Sequence, residues 1–220
     1  MNLKPFHPSG GLQYHLRAAF NHKRWRPFCE YVEEWLLEWR KQPRMVGVST
    51  LVLVGPNAGY TLSHAFISSF QNVIVVEPDP LAFALFEARF NCRARWVHQD
   101  YFDLKSKSPD PEKLKGLFLA YPNAAFLFCN ILGQLPVLLR AKKGVDVELY
   151  MRGLSRVLSE FSLNVAMASY HDRFSRNLKR PDEVIDHLTG KLFASTKDKK
   201  EFPWPITNKI EHQIEFVRFG

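Results

Sequence analysis

Apolar positions follow two different rhythms along the 220 residues. Between Phe28 and Lys41 they recur at 28, 32, 35, 36 and 39, with Glu33, Glu34 and Glu38 on the opposite side. That is the spacing of an amphipathic helix. A shorter helix is expected before it, from about Leu12 to Phe20. After Pro43 the rhythm changes to short unbroken apolar runs: Thr50–Val54, Val73–Val76, Ala125–Cys129 and Leu163–Ser169, with Arg95–His98 a weaker example. Such runs suit strands buried on both faces, as in a parallel sheet. Helices are expected between them, over Thr61–Phe70, Asp79 to Phe90, Asp110 to Ala120, Val147–Ser159 and Pro181–Leu188, the last closed by Gly190. Asp79-Pro80 and Asp110-Pro111 are start signals, because aspartate accepts from the first free N–H groups and proline's fixed φ suits the first helical position. Ile210–Phe219 is β-prone, and the proline-rich stretch Pro203–Thr207 can be a strand only at a sheet edge.

Strands alternating with helices imply right-handed βαβ units. The expected fold class is α/β, a doubly wound, mostly parallel seven-stranded sheet with helices on both faces. Residues 1–44 are expected as an N-terminal helical extension and residues 45–220 as a Rossmann-like domain. Ligands of such sheets bind beyond the carboxyl ends of the strands, near the switch point beside the first strand.

Composition narrows the classes. An apolar fraction of 46% with 24% charged residues excludes a disordered chain and suits one globular domain. No run approaches the roughly 18 apolar residues of a membrane span. Met1–Pro8 has one lysine and no apolar run, unlike a signal peptide. Cys29, Cys92 and Cys129 are scattered in apolar segments, so buried reduced thiols and a cytoplasmic location are expected. Two short polar patches, Lys105–Glu112 and Ser195–Lys200, read as exposed loops.

The net charge is +8, concentrated at the ends: residues 1–44 carry eight basic and four acidic side chains, residues 45–100 three and four. His22-Lys23-Arg24-Trp25-Arg26 mixes cations with an aromatic ring, a combination that can stack on nucleic acid and neutralise it. A solvated basic turn between two helices, with Trp25 packed inward, explains it as well and is the favoured reading.

The chemistry concentrates in the loops at the strand ends. Val54-Gly55-Pro56-Asn57-Ala58-Gly59-Tyr60 follows the first strand. The dinucleotide fingerprint requires glycine at its first, third and sixth positions. Those positions hold Gly55, Asn57 and Tyr60, which argues against a nicotinamide cofactor. Glu77 ends the second strand 22 residues after Gly55, and a carboxylate there can accept from two vicinal ribose hydroxyls. Since Asp79 serves as the helix cap, Glu77 is left for a ligand. His98–Asp103 follows the third strand, Cys129–Pro136 the fourth and Ser169–Phe174 the fifth. The remaining histidines form no metal-binding spacing, no His-Glu-x-x-His or Cys-x-x-Cys occurs, and no metal is expected.

The Gly55–Gly59 loop resembles motif I of the class I S-adenosylmethionine-dependent methyltransferases, where a strand ends in glycine-x-glycine-x-glycine. Gly55 and Gly59 match, Asn57 replaces the middle glycine, and Leu53 stands where that family usually has an acidic residue. The resemblance covers residues 45 to 219. It implies S-adenosylmethionine as cofactor, with Gly55, Asn57 and Gly59 in its loop, Glu77 on the ribose and Asp100 on the adenine amino group. Tyr101 or Phe102 would flank the ring. Asn130 would contact the methionine moiety or the acceptor, and Gln134 is a weaker candidate there. The family's Asp/Asn-Pro-Pro-aromatic signature is missing, so methylation of a base or a glutamine amide is not implied. His171, beside Asp172 at the fifth strand's end, is a candidate general base. The family's seventh, antiparallel strand would be Ile210–Phe219, and extensions such as residues 1–44 often cover the site. Methyl transfer to an unidentified acceptor is the reading implied; a non-catalytic protein that keeps the fold to bind a ligand or partner is the alternative.

Overall fold

The computed structural model describes residues 11–188, 190, 192–193 and 199–219. Met1–Pro8 and residues 195–198 of the second polar patch therefore lie outside the described residues. The strands are β1 (Thr50–Val54), β2 (Asn72–Val76), β3 (Arg95–Val97), β4 (Ala125–Cys129), β5 (Met167–Asn177), β6 (Arg180–Asp186), β7 (Lys199–Pro205) and β8 (Ile210–Phe219). They form one sheet in the order β3-β2-β1-β4-β5-β8-β7, with β6 paired to β5 off that path. The pairings from β3 to β5 are parallel. Those of β5 with β6 and β8, and of β7 with β8, are antiparallel. The antiparallel strand that the resemblance implies is thus present as β8.

The helices are α1 (Leu12–Arg40), α2 (His64–Ile67), α3 (Pro80–Phe90), α4 (Lys115–Ala120), α5 (Ile131–Arg140) and α6 (Val147–Ser162). Alternate residues of each central strand enter two separate cores. Leu51, Leu53, Val75, Leu127, Ala168 and Phe216 pack beneath α1, α2 and α3. Val52, Val54, Val76, Phe126, Phe128 and Val217 pack beneath α4, α5 and α6. Both start signals act as expected: Leu81 N–H donates to Asp79 at 3.0 Å and Glu112 N–H to Asp110 at 2.9 Å. The second opens a 3-10 turn, Pro111–Leu114, ahead of α4 rather than a continuous helix.

Several expectations are corrected. The two N-terminal helices are one, α1, with Pro27 inside it. Proline costs the helix a hydrogen bond, but buried Trp25 and Phe28 on either side anchor it to the sheet. The Trp25 indole donates to the Ile206 carbonyl at 3.2 Å, and Phe28 stacks on Trp204 at 4.5 Å. Pro181–Leu188 is not a helix. β5 runs on past Ser169, turns through Leu178 and Lys179, and returns as β6, so the sheet has eight strands rather than seven. Proline is tolerated there because β6 has a partner on one side only. Pro203 and Pro205 likewise lie in the edge strand β7. The loop expected at Cys129–Pro136 is mostly α5, and Ser169–Phe174 lies within β5. The helix expected at Thr61–Phe70 shrinks to α2.

Cys29, Cys92 and Cys129 are unpaired, and only Cys129 is fully buried. Burial pushes its thiol up to about 12. Among the described residues, no helix is long and apolar enough to cross a membrane.

If α1 is integral to the core, Phe28→Ala should cost about 3–5 kcal/mol in chemical denaturation. A loss below about 1 kcal/mol would make α1 an appendage.

Candidate functional site

The carboxyl ends of β1, β2 and β4 open onto a cavity of about 320 Å3, whose wall includes Gly55, Asn57, Glu77, Asn130 and Gln134. A smaller recess of about 80 Å3 lies toward β3, walled by Asp100, Tyr101 and Phe102. Gly55, Glu77, Pro78, Leu104 and Ile131 line both, so the two are parts of one cleft.

Gly55 turns the chain out of β1 with φ +66°, and a Cβ there would stand 2.7 Å from the Ile131 Cβ. Glycine is required on both grounds. Asn57 adopts the left-handed conformation, φ 54°, that a glycine would supply. Asparagine tolerates it because its short side chain bonds locally; here Asn57 Oδ1 accepts from Ala58 N–H at 2.8 Å. Its own N–H donates to Glu77 Oε2 at 2.9 Å, while Asp79 N–H donates to Oε1 at 3.1 Å. Glu77 therefore ties the β1 loop to the end of β2. Burial raises its pKa to about 7, against the lowering effect of those two N–H donors. In the smaller recess, Asp100 accepts from Lys105 N–H at 2.7 Å, and Tyr101 and Phe102 are buried.

The other end of the cleft is polar and sealed. Asn130 caps β4 in a left-handed turn, φ 58°. Its Oδ1 accepts from Asp172 N–H at 2.7 Å. α5 then packs hard against β5: a Cβ on Gly133 would meet the Asp172 carbonyl oxygen at 2.5 Å. Gln134 donates to Asp172 Oδ2. The other carboxylate oxygen, Oδ1, lies 2.8 Å from His212 Nδ1 on β8, close enough for an ion pair though without hydrogen-bond alignment. Burial works to raise the Asp172 carboxyl, but the His212 ring and then His187 outweigh it and hold the group below its ordinary value.

A β-bulge explains how these groups meet. Along β5, Asp172 pairs with Ile214 but Phe174 pairs with Gln213, so Arg173 is the extra residue. The bulge lets Asp172 and Ser175, three apart, both reach the cavity wall. Ser175 contacts His187 Nε2 at 2.5 Å, and the His187 and His212 ring centroids are 5.8 Å apart. Burial lowers the His187 pKa, favouring its neutral form.

α1 closes the cleft. Tyr14 and Arg17 line the cavity. The helix start is held by Gly11 N–H and His15 Nε2 on Asp79 Oδ2, at 3.0 and 3.2 Å. His15 Nδ1 also meets the Tyr60 hydroxyl at 2.7 Å. Tyr60, misplaced for a dinucleotide site, thus serves as an anchor for the cover. Arg17 brings a guanidinium to the cavity wall.

Gly55, Asn57, Glu77 and Asn130 meet in the main cavity, and Asp100 and Tyr101 in its side recess. Gly59 stands behind them against α3. His171 lies elsewhere. It is fully buried, with Nδ1 2.9 Å from Ser169 Oγ and Nε2 3.7 Å from Glu215, and lines neither recess. His187 and His212, distant in sequence, come together on the cavity wall. Sequence reasoning missed both, together with Tyr14 and Arg17, and weighed Asp172 only as the neighbour of His171. The one available signal was a histidine inside the β-prone run Ile210–Phe219. Lys23, Arg24 and Arg26 are exposed in mid-helix rather than in a turn, and none lines the cleft. Among the described residues no group of three His, Cys, Asp or Glu side chains is arranged to hold a metal.

Sheet order, the antiparallel β8 and a cleft over the strand ends define a Rossmann-like fold. Solved structures with this outline include a complex of DhpI with S-adenosylhomocysteine, 13% identical over 92% of each chain with a TM-score of 0.45. The N-methyltransferase NodS from Bradyrhizobium japonicum WM9 is 11% identical over 88% of this chain and 97% of its own, TM-score 0.46. Magnesium protoporphyrin IX methyltransferase from Synechocystis PCC 6803, with S-adenosylhomocysteine bound, is 12% identical over 90% and 87%, TM-score 0.49. At that distance they bear on outline alone. No family model and no curated protein matches the chain.

The raised Glu77 pKa makes stability depend on pH. The folded state keeps the proton up to about pH 7, whereas an unfolded glutamate releases it near 4.5. This contribution is complete below pH 4.5 and drains away as pH rises through 7, by at most about 3 kcal/mol. Urea titrations of Glu77→Gln should show that slope removed. An unchanged slope would place the proton elsewhere.

Proposed function

We propose that this chain is an S-adenosylmethionine-dependent methyltransferase whose cofactor lies along the cleft. The observation that carries the reading is the continuity of the two recesses across Glu77. The smaller recess suits adenine, with the second Asp100 oxygen for its amino group and Tyr101 and Phe102 beside the ring. Glu77 stands where ribose hydroxyls would follow, and Gly55 and Asn57 keep the backbone close. Asn130 and Arg17 belong to the methionine end, where Arg17 supplies a counter-charge. S-adenosylmethionine, when bound, supplies a methyl group already activated on a sulfonium. The protein's work is then to align the acceptor and exclude water.

The residues fit such a ligand. Asn57 reproduces the backbone of the glycine it replaces, so that departure from motif I leaves the loop intact. Leu53, where the family usually has an acid, is simply core. Buried polar atoms on the cavity wall without hydrogen-bond partners, Asp172 Oδ1 and His187 Nδ1 among them, favour an enzyme over a non-catalytic relative.

Calorimetry should show S-adenosylmethionine or S-adenosylhomocysteine binding with a Kd of roughly micromolar to sub-millimolar. Ribose hydroxyls donate, so affinity should weaken as pH falls below 7 and Glu77 takes up its proton. Glu77→Gln should bind about 10- to 150-fold more weakly, equivalent to about 1.5–3 kcal/mol, with that pH dependence gone. No heat and no thermal stabilisation at millimolar ligand would contradict the assignment.

A further inference from the structure

The polar end of the cavity holds more than cofactor binding requires. Asp172 is wholly buried, accepts from Gln134 and stands 2.8 Å from His212. The His212 ring lines the cavity with its Nδ1 at ion-pair distance from that carboxylate, which leaves Nε2 without a protein partner among the described contacts. The same cavity wall includes the aromatic and apolar side chains of Tyr14, Val137, Leu138, Trp204 and Ile206. The other titratable or charged groups on the wall are Tyr14 and Arg17 from α1, His187 after β6, and Glu77 and Cys129 across the cavity. His187 contacts Ser175 through Nε2, and burial lowers its pKa, which weakens it as a base. Tyr14 is pushed well up by burial and by the Asp172 charge, so it keeps its proton. Cys129 is held as a thiol in the same way.

We infer that His212, positioned by Asp172, is the general base of this site, and that the methyl acceptor is a phenolic hydroxyl on a small aromatic molecule. The inference rests on the cleft being the cofactor site. A base matters most where the nucleophile is neutral and must lose a proton as it attacks. Asp172 already faces Gln134 and His212, so an ammonium acceptor would have to compete with the imidazole for its charge. Imidazole is better matched to a phenol, with a pKa near 10, than to the far weaker acidity of an aliphatic alcohol. The aromatic wall suits a flat ring. In the step, the phenol oxygen forms a bond to the methyl carbon while the carbon–sulfur bond breaks. Its electron pair stays on sulfur, leaving a neutral thioether. The phenol proton passes to His212 Nε2, and Asp172 balances the imidazolium.

The test uses 4-nitrophenol, whose phenolate is read by its visible absorption. It is titrated into the protein with and without S-adenosylhomocysteine, at a pH where the unbound probe is mostly protonated. The bound probe should carry the phenolate band. His212→Gln should abolish the band and lower methyl transfer to the probe about 10²- to 10³-fold, with S-adenosylhomocysteine still bound as in the parent. Asp172→Asn should shift the titration of the bound probe to higher pH, because the imidazolium loses its counter-charge; a purely structural role would not move it. A probe that fails to bind, or binds protonated, or keeps its band in His212→Gln, overturns the inference. Failure of S-adenosylhomocysteine to bind the parent would instead overturn the cofactor reading, and the phenolate band in its absence would still decide the base.

Discussion

A carboxylate sealed from water has to be kept in company, and Asp172 sets that condition for the whole polar end of the cleft. Leaving such a charge unpaired costs several kcal/mol, so the surrounding chain is arranged to surround it. Gln134 comes from α5, His212 from β8, and the Asn130 side chain takes the backbone N–H of Asp172 itself. Each partner imposes something on the fold. α5 must come so close that only glycine fits at position 133. β4 must end in a left-handed asparagine. β5 must carry a bulge, and β8 must run antiparallel beside it to present His212 at the right height.

The other end of the cleft is organised around a second buried carboxylate with a different solution. Glu77 is buried with two backbone N–H donors that do not offset the burial, so its pKa is raised where that of Asp172 is lowered. The first group is thereby suited to neutral hydroxyl donors and the second to stabilising a positive ring. α1 spans both ends. Asp79, which caps α3, also holds the start of α1, and Trp25 and Phe28 fasten its middle to β7 and the loop after it. The cover of the site and the core of the protein are the same helix.

The central fold was legible because parallel strands buried on both faces leave unbroken apolar runs, and because Asp-Pro pairs mark helix starts locally. Gly55, Glu77 and Asp100 could be located for the same reason: each sits directly after such a run. What was not legible depended on distance along the chain. The β5–β6 hairpin carries proline and glycine signals that read locally as a helix, and it is decided by pairing with β5. The continuity of α1 through Pro27 is decided by aromatic packing on residues some 180 positions away. His212 and Asp172 are 40 residues apart, and nothing in either neighbourhood announces the other; a one-residue bulge brings them together. His171 was the natural choice beside a strand end, but alternation along β5 turns it toward Glu215 and away from the cleft.

The account stands or falls on where the cofactor lies relative to His212. A crystal structure with S-adenosylhomocysteine bound measures this directly. It should show adenine between Asp100 and Tyr101, the ribose hydroxyls on Glu77, and the sulfur facing the cavity that His212 and Trp204 enclose. Ligand density outside the cleft, or a sulfur turned away from His212 with another side chain against it, would contradict the account.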